Sequence, residues 1–155
     1  KLPMPIINKG GCNFSFAGLK TAVLRLSKHI KTEQDKLDIA ASFQDTVEKI
    51  VFKKTQVAFN KYLENNKNRK KNFVVAGGVA ANFKIRKKIQ KVSIKNNFSV
   101  YFPSLELCGD NAAMIALVGL EKFKKKDFSN HDLKVNPRWQ LDEQAKFLKG
   151  AGVKL

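Results

Sequence analysis

The chain has 155 residues, of which 43% are hydrophobic, which suits one ordinary domain with a sizeable core and argues against disorder. Its 30 Lys and Arg stand against 13 Asp and Glu, for a net charge of +17, a balance that favours polyanions such as nucleic acid or phosphorylated ligands. No apolar run approaches the roughly 18 to 20 residues needed to span a bilayer, so no membrane partner is expected.

Two further features of composition bear on function. The basic residues are almost all Lys, with Arg only at Arg25, Arg69, Arg86 and Arg138. Arg is the better residue for bidentate phosphate or base contacts, and a coding preference for Lys and Asn produces the same excess without functional pressure. The two cysteines, Cys12 and Cys108, make neither a metal-type spacing nor a disulfide framework. A reducing, cytoplasmic compartment is the simplest inference. The chain opens at Lys1, which suggests part of a longer protein, and no signal peptide is visible.

Residues 1–12 carry two prolines and a Gly-Gly pair and read as an entering loop. Phe14 and Phe16 alternate with Asn13 and Ser15 as in a short strand that Gly18 ends. Residues 19–30 then place apolar side chains at helical spacing. After a polar break at 31–36, a longer helix is predicted from the stripe Ile39, Phe43, Val47, Ile50, Val51, Ala58 and Tyr62. Residues 64–72 are a charged loop. Phe73-Val74-Val75-Ala76 reads as a buried strand, as in a parallel sheet. Ala80, Phe83, Ile85, Ile89 and Val92 follow with helical spacing. Phe98, Val100 and Phe102 alternate as a further strand closed by Pro103. A last helix is expected from near Asp110 to Phe123. Strands separated by helices imply an α/β fold with parallel pairs. The tail, 124–155, is basic and irregular, with Pro137-Arg138-Trp139 as its bulky anchor, either pinning the tail to the core or stacking on a base.

Two segments carry the candidate chemistry. Ala76-Gly77-Gly78-Val79-Ala80-Ala81-Asn82 lies between a strand and a helix, where ligands of open α/β sheets bind. Glycines there let backbone N–H groups approach a phosphate or ribose. The helix that follows offers unpaired N–H groups and partial positive charge. Asn82 has a donor and an acceptor for ribose or an acyl group. The alternative is a tight turn that merely joins strand to helix. The second segment, Leu107-Cys108-Gly109-Asp110-Asn111, also opens a helix. Asp110 is either an N-cap or a hard oxygen ligand for a divalent metal, and one carboxylate can do both. His29 and His131 lie in Lys-rich surroundings and read as surface residues. Neither a HExxH zinc-protease motif nor a GxxxxGK[ST] phosphate loop is present.

Three segments in order, Phe14-Ser15-Phe16-Ala17-Gly18-Leu19-Lys20-Thr21, Ala76-Gly77-Gly78-Val79-Ala80-Ala81-Asn82 and Cys108-Gly109-Asp110-Asn111-Ala112-Ala113-Met114-Ile115-Ala116, together with Pro-Arg-Trp near the end, resemble the tRNA threonylcarbamoyladenosine transferase family, formerly labelled O-sialoglycoprotein endopeptidase. The resemblance covers nearly the whole chain. It implies an actin-like ATPase (ribonuclease H-like) fold of two α/β lobes around a nucleotide cleft. It implies transfer of threonylcarbamoyl from its adenylate to the adenosine beside the tRNA anticodon, with a divalent metal, iron or zinc. It implies that Asn82 binds substrate, that Gly77 and Gly78 line the nucleotide, and that Asp110 is a metal ligand. Partner subunits of a tRNA-modification complex are implied as well.

The family's H-x-x-x-H metal pair is absent from this sequence. Residues 1–155 are therefore expected to be the C-terminal lobe alone, holding one of three protein metal ligands and inactive in isolation. Three rivals remain: a non-catalytic partner-binding lobe, an actin-like kinase or ATPase lobe, and a basic RNA-binding domain whose binding collapses with salt.

Overall fold

A computed structural model describes residues 1–66, 68–130, 132 and 135. The chain divides into two compact units, Lys1–Asn111 and Ala112–Leu155. The first holds helix α1 (Ala17–Ser27), helix α2 (Glu33–Asn65), strand β1 (Asn72–Val74), helix α3 (Phe83–Lys95) and strand β2 (Ser99–Tyr101). The second holds helix α4 (Ala112–Lys124). The α/β expectation is met. β1 and β2 pair in parallel with Asn72 opposite Ser99, Phe73 opposite Val100 and Val74 opposite Tyr101, and α3 makes the crossover that a parallel pair requires.

Helix α2 organises the first unit. Its start is fixed by a capping box at Thr32. The Asp35 amide donates to Thr32 Oγ1 at 3.1 Å, and the Thr32 amide donates to Asp35 Oδ2 at 2.9 Å. That arrangement satisfies two otherwise orphaned donors. With 33 residues the helix is about 50 Å long, and it feeds two cores. Near its middle, Ile50 packs with Leu2 and Leu19, joined by Met4, Val23 and Val47. Farther along, Phe59 packs with Val92 and Phe98. The Phe59 and Phe98 rings stack at 3.9 Å, while Phe73 meets Phe59 edge-on at 5.0 Å. Lys54 is buried and donates to the carbonyls of Lys9 and Gly11 at 3.0 and 3.1 Å, tying the entering loop to α2.

The sequence reading fails in two places. Residues 13–16 form no strand. Phe14 and Phe16 stack on each other at 6.2 Å and α1 begins at Ala17. Alternation makes a strand only where a neighbouring backbone pairs with it, and among the described residues the sheet has two strands, β1 and β2. Gly18 lies inside α1, where a Cβ would come within 3.2 Å of Pro5 Cγ, so it serves close packing rather than strand termination. The strand expected to be buried at 73–76 is also corrected. In β1, Phe73 turns inward, but Val74 is 67% exposed. Burial on both faces needs layers on both sides of a sheet, and here one face is covered.

In the second unit, α4 displays Met114, Ile115, Leu117, Val118, Leu120 and Phe123, none of them buried. No helix among the described residues is long and apolar enough to cross a membrane. Pro137, Arg138, Trp139 and His131, read above as tail anchor and surface residue, lie outside the described residues.

Candidate functional site

The segment after β1 turns on Gly77, whose φ of +92° and ψ of 168° fall where side chains other than hydrogen clash with the backbone. A short 3₁₀ turn, Gly78–Ala81, follows, closed by the Ala80 amide donating to Gly77 O at 2.9 Å. Gly77 and Gly78 are exposed, and no heavy atom beyond the adjoining residues lies within 4 Å of the place a Cβ would take at either. The backbone of this turn therefore leaves room for a close approach.

Asn82 is held by two sets of hydrogen bonds. Its Oδ1 accepts from the amides of Lys84 and Ile85, both at 3.1 Å, and so caps α3. The same oxygen accepts from Gln44 Nε2 at 3.3 Å, while Asn82 Nδ2 donates to Gln44 Oε1 at 2.9 Å. The acceptor assigned to substrate thus has three partners already. Two of the α3 amides expected to face a ligand are satisfied by this side chain. One Nδ2 hydrogen is left for a ligand. Sequence reasoning had no route to Gln44, which sits 38 residues away and carries no pattern that marks it.

Asn82 and Gly78 line a groove of about 650 Å³ whose walls are mostly apolar, with Phe14, Phe43, Val47 and Ile89 among them. Gln44 and Asn82 supply its polar side chains and no charged residue lines it. Such a groove suits an apolar or flat group better than a phosphate. Asp110 does not line the groove.

What joins the two candidate segments is Arg86. Its Nε donates to Ala80 O, and its Nη2 donates to Pro103 O at 2.8 Å and to Cys108 Sγ at 3.1 Å. The guanidinium also lies 4.9 Å from the centroid of the Phe102 ring. Cys108 Sγ in turn donates to Ser104 O at 3.4 Å. One planar, multi-donor side chain thus ties the turn after β1 to the segment after β2. The signal was present in the sequence as a single Arg among the five lysines of α3, a choice that marks a need for several fixed donors.

Asp110 is exposed and lies two residues beyond buried Cys108. α4 begins at Ala112, so Asn111 rather than Asp110 immediately precedes the helix, which weakens the capping reading. Among the described residues, no three His, Cys, Asp or Glu side chains come together to hold a metal ion. One exposed carboxylate does not make a divalent site, so the residues present do not by themselves fit the metal the resemblance implies. His29 is exposed, as expected.

Comparison with known proteins follows the same lines. A family model described as tRNA N6-adenosine threonylcarbamoyltransferase matches residues 1–117. Proteins bearing that name match from Pelagibacter ubique at 59% identity over 155 residues, from Rickettsia rickettsii at 44% over 146, and from Ruegeria sp. at 39% over 160. These alignments cover 100%, 92% and 99% of this chain but 43%, 42% and 44% of the respective relatives. The chain spans less than half the length of the curated relatives it matches.

Proposed function

The chain belongs to the tRNA N6-adenosine threonylcarbamoyltransferase family, and from that premise we propose that it forms one lobe of an enzyme that moves threonylcarbamoyl from its adenylate to the adenosine beside a tRNA anticodon. The lobe is of the actin-like ATPase type and works in the cytoplasm with partner subunits of a tRNA-modification complex. The observation that carries the reading is the exposed Gly77-Gly78 backbone, held by Arg86 to the segment that leads into Asp110. In the reaction the adenosine amine attacks the carbamoyl carbon, a C–N bond forms, the C–O bond to phosphate breaks, adenylate leaves as an anion and the amine proton passes to solvent. Backbone N–H groups at Gly77 and Gly78 hold that phosphate, the task for which Cβ-free positions are suited. The remaining Nδ2 hydrogen of Asn82 orients the acyl or ribose group beside them. Asp110 would give one carboxylate oxygen to a divalent metal, which would polarise the acyl group.

The chain alone is inert in transfer. Nuclear magnetic resonance with adenosine monophosphate tests the binding half of the proposal. Amide shifts are expected at 77–82 and are lost in Gly78→Val, a change the fold tolerates because open space surrounds that position. Absence of shifts there in the wild-type chain overturns the assignment. Transfer of labelled threonylcarbamoyl to tRNA by the chain alone overturns its inertness.

A second reading, a lobe that only binds a partner protein, draws support from the apolar groove and from the unburied apolar side chains of α4. It predicts no adenylate shifts at all.

A further inference from the structure

Helix α3 carries Lys84, Arg86, Lys87, Lys88, Lys91 and Lys95 and no acidic residue. Where α3 meets α2, a groove of about 640 Å³ is lined by Lys49, Phe52, Lys53, Gln56, Lys88 and Lys91. No carboxylate lines it. Lys49 pairs with Asp45 at 2.5 Å, and Lys53 Nζ reaches Asn8 Oδ1 at 3.5 Å. Lys88 Nζ lies 5.6 Å from the centroid of the Phe52 ring. Among the described residues neither Lys88 nor Lys91 has an ion-pair partner. Four ammonium groups from two helices thus share one concavity, and among the described residues three of them, Lys53, Lys88 and Lys91, lack a counter-ion from the protein.

The groove is distinct from the Gly77-Gly78 turn. Val47 lines the apolar groove and Phe52 the basic one. Five helical residues rotate by about 500°, which sets those two side chains roughly 140° apart around α2. The basic groove therefore opens on a different side of the helix from the candidate nucleotide site.

We propose that this groove holds the phosphodiester backbone of an RNA. Clustered lysines act as mobile point charges, suited to phosphates rather than to bidentate reading of base edges. Phe52 adds a partly buried apolar side chain to the lining, with Lys88 Nζ held over its ring. Lysines on two helices fit an extended polyanion better than one small phosphate. The choice of RNA over other polyanions rests on the tRNA reading above. The groove's role is to position the RNA, so the contact is strong in charge and weak in sequence preference.

Fluorescence anisotropy of a labelled anticodon stem-loop with the full chain tests this. Lys88→Glu with Lys91→Glu is compared with Lys20→Glu and Lys61→Glu, exposed positions outside the groove that give the same change in net charge. The groove pair is expected to weaken binding at least about 10-fold and to lower the log–log salt slope by about 1.5, the change that follows when two lysines no longer neutralise phosphates. The control pair is expected to change affinity less than about 3-fold, the share due to net charge alone. If charge reversal unfolds the chain, as circular dichroism reports, Lys88→Gln with Lys91→Gln decides on the slope. Equal losses in groove and control pairs overturn the proposal, and so does polyglutamate binding as tightly as RNA. Adenosine monophosphate shifts at 77–82 are recorded in the same variants. Their survival when RNA binding is lost supports two separate sites, and their absence in the wild-type chain defeats the nucleotide assignment while leaving the groove standing.

Discussion

Replacing Arg86 tests whether the two segments that carry the candidate site are one mechanical unit. The guanidinium donates to Ala80 O, Pro103 O and Cys108 Sγ, and Ala80 and Cys108 are buried. Each charged hydrogen bond contributes about 1.5 to 3 kcal/mol, and removing a donor from a buried carbonyl leaves that group unsatisfied. Two carbonyl bonds at the lower figure give about 3 kcal/mol, and the ring contact with Phe102 adds about 0.5 to 1 kcal/mol. Arg86 is half-buried, and solvent repairs part of the loss. The expected cost of Arg86→Met is therefore about 2 to 3 kcal/mol. Arg86→Lys keeps the charge but not the fork, retains one carbonyl and costs about 1 to 1.5 kcal/mol. Urea unfolding followed by circular dichroism gives the totals. Hydrogen exchange decides the mechanism. In Arg86→Lys, amides in both 77–82 and 103–108 are expected to exchange about 10-fold faster, the equivalent of 1.4 kcal/mol, while α1 exchanges as before. Loosening of one segment without the other, or a cost below about 0.5 kcal/mol for Arg86→Met, refutes the linkage.

Gly77→Ala is expected to destabilise the chain by about 1 to 3 kcal/mol, because its backbone lies where only glycine is comfortable. Gly78→Ala, with open space around it, should leave the unfolding midpoint unchanged. A midpoint that falls equally in both variants contradicts the turn geometry. Ser93 is fully buried and its Oγ lacks a hydrogen-bond partner among the described residues, so Ser93→Ala should raise stability by about 1 kcal/mol, a sign that urea unfolding reads directly. Asp35 is held below its ordinary carboxylate value of 3.8 by the amide of Lys31 and then by the hydroxyl and amide of Thr32. Its contribution is thus present above that value and fades as pH falls through the depressed one. The helical signal of the wild-type chain should drop in that acid range, while Asp35→Asn lacks this component and starts from a weaker cap at neutral pH.

Much of the fold follows from local pattern. α2, α3 and β2 were legible because spacing of three and four, or of two, is a property of the segment itself. Phe14 and Phe16 misled because a strand needs a partner, and their alternation says nothing about whether one is at hand. Phe73-Val74-Val75-Ala76 misled for a related reason: an apolar run signals a strand that wants covering, and Val74 remains open. The glycine turn was legible from Gly77-Gly78. The Asn82–Gln44 pairing and the role of Arg86 were not, because each depends on atoms distant in sequence, Gln44 in one case and Pro103 and Cys108 in the other. Asp110 was placed one residue too close to its helix, the usual error of boundary assignment.

The two-stranded sheet has a consequence for how this chain behaves in bulk. β1 and β2 each keep an outer edge that no described strand covers, and an open edge is a template for pairing with another copy. A net charge of +17 opposes that encounter through mutual repulsion, which acts over about 8 Å at physiological ionic strength and about 3 Å at 1 M salt. Resistance to edge pairing in dilute buffer thus rests on net charge. Concentrated salt, or a polyanion added near charge equivalence, removes the barrier and turns a clear solution cloudy.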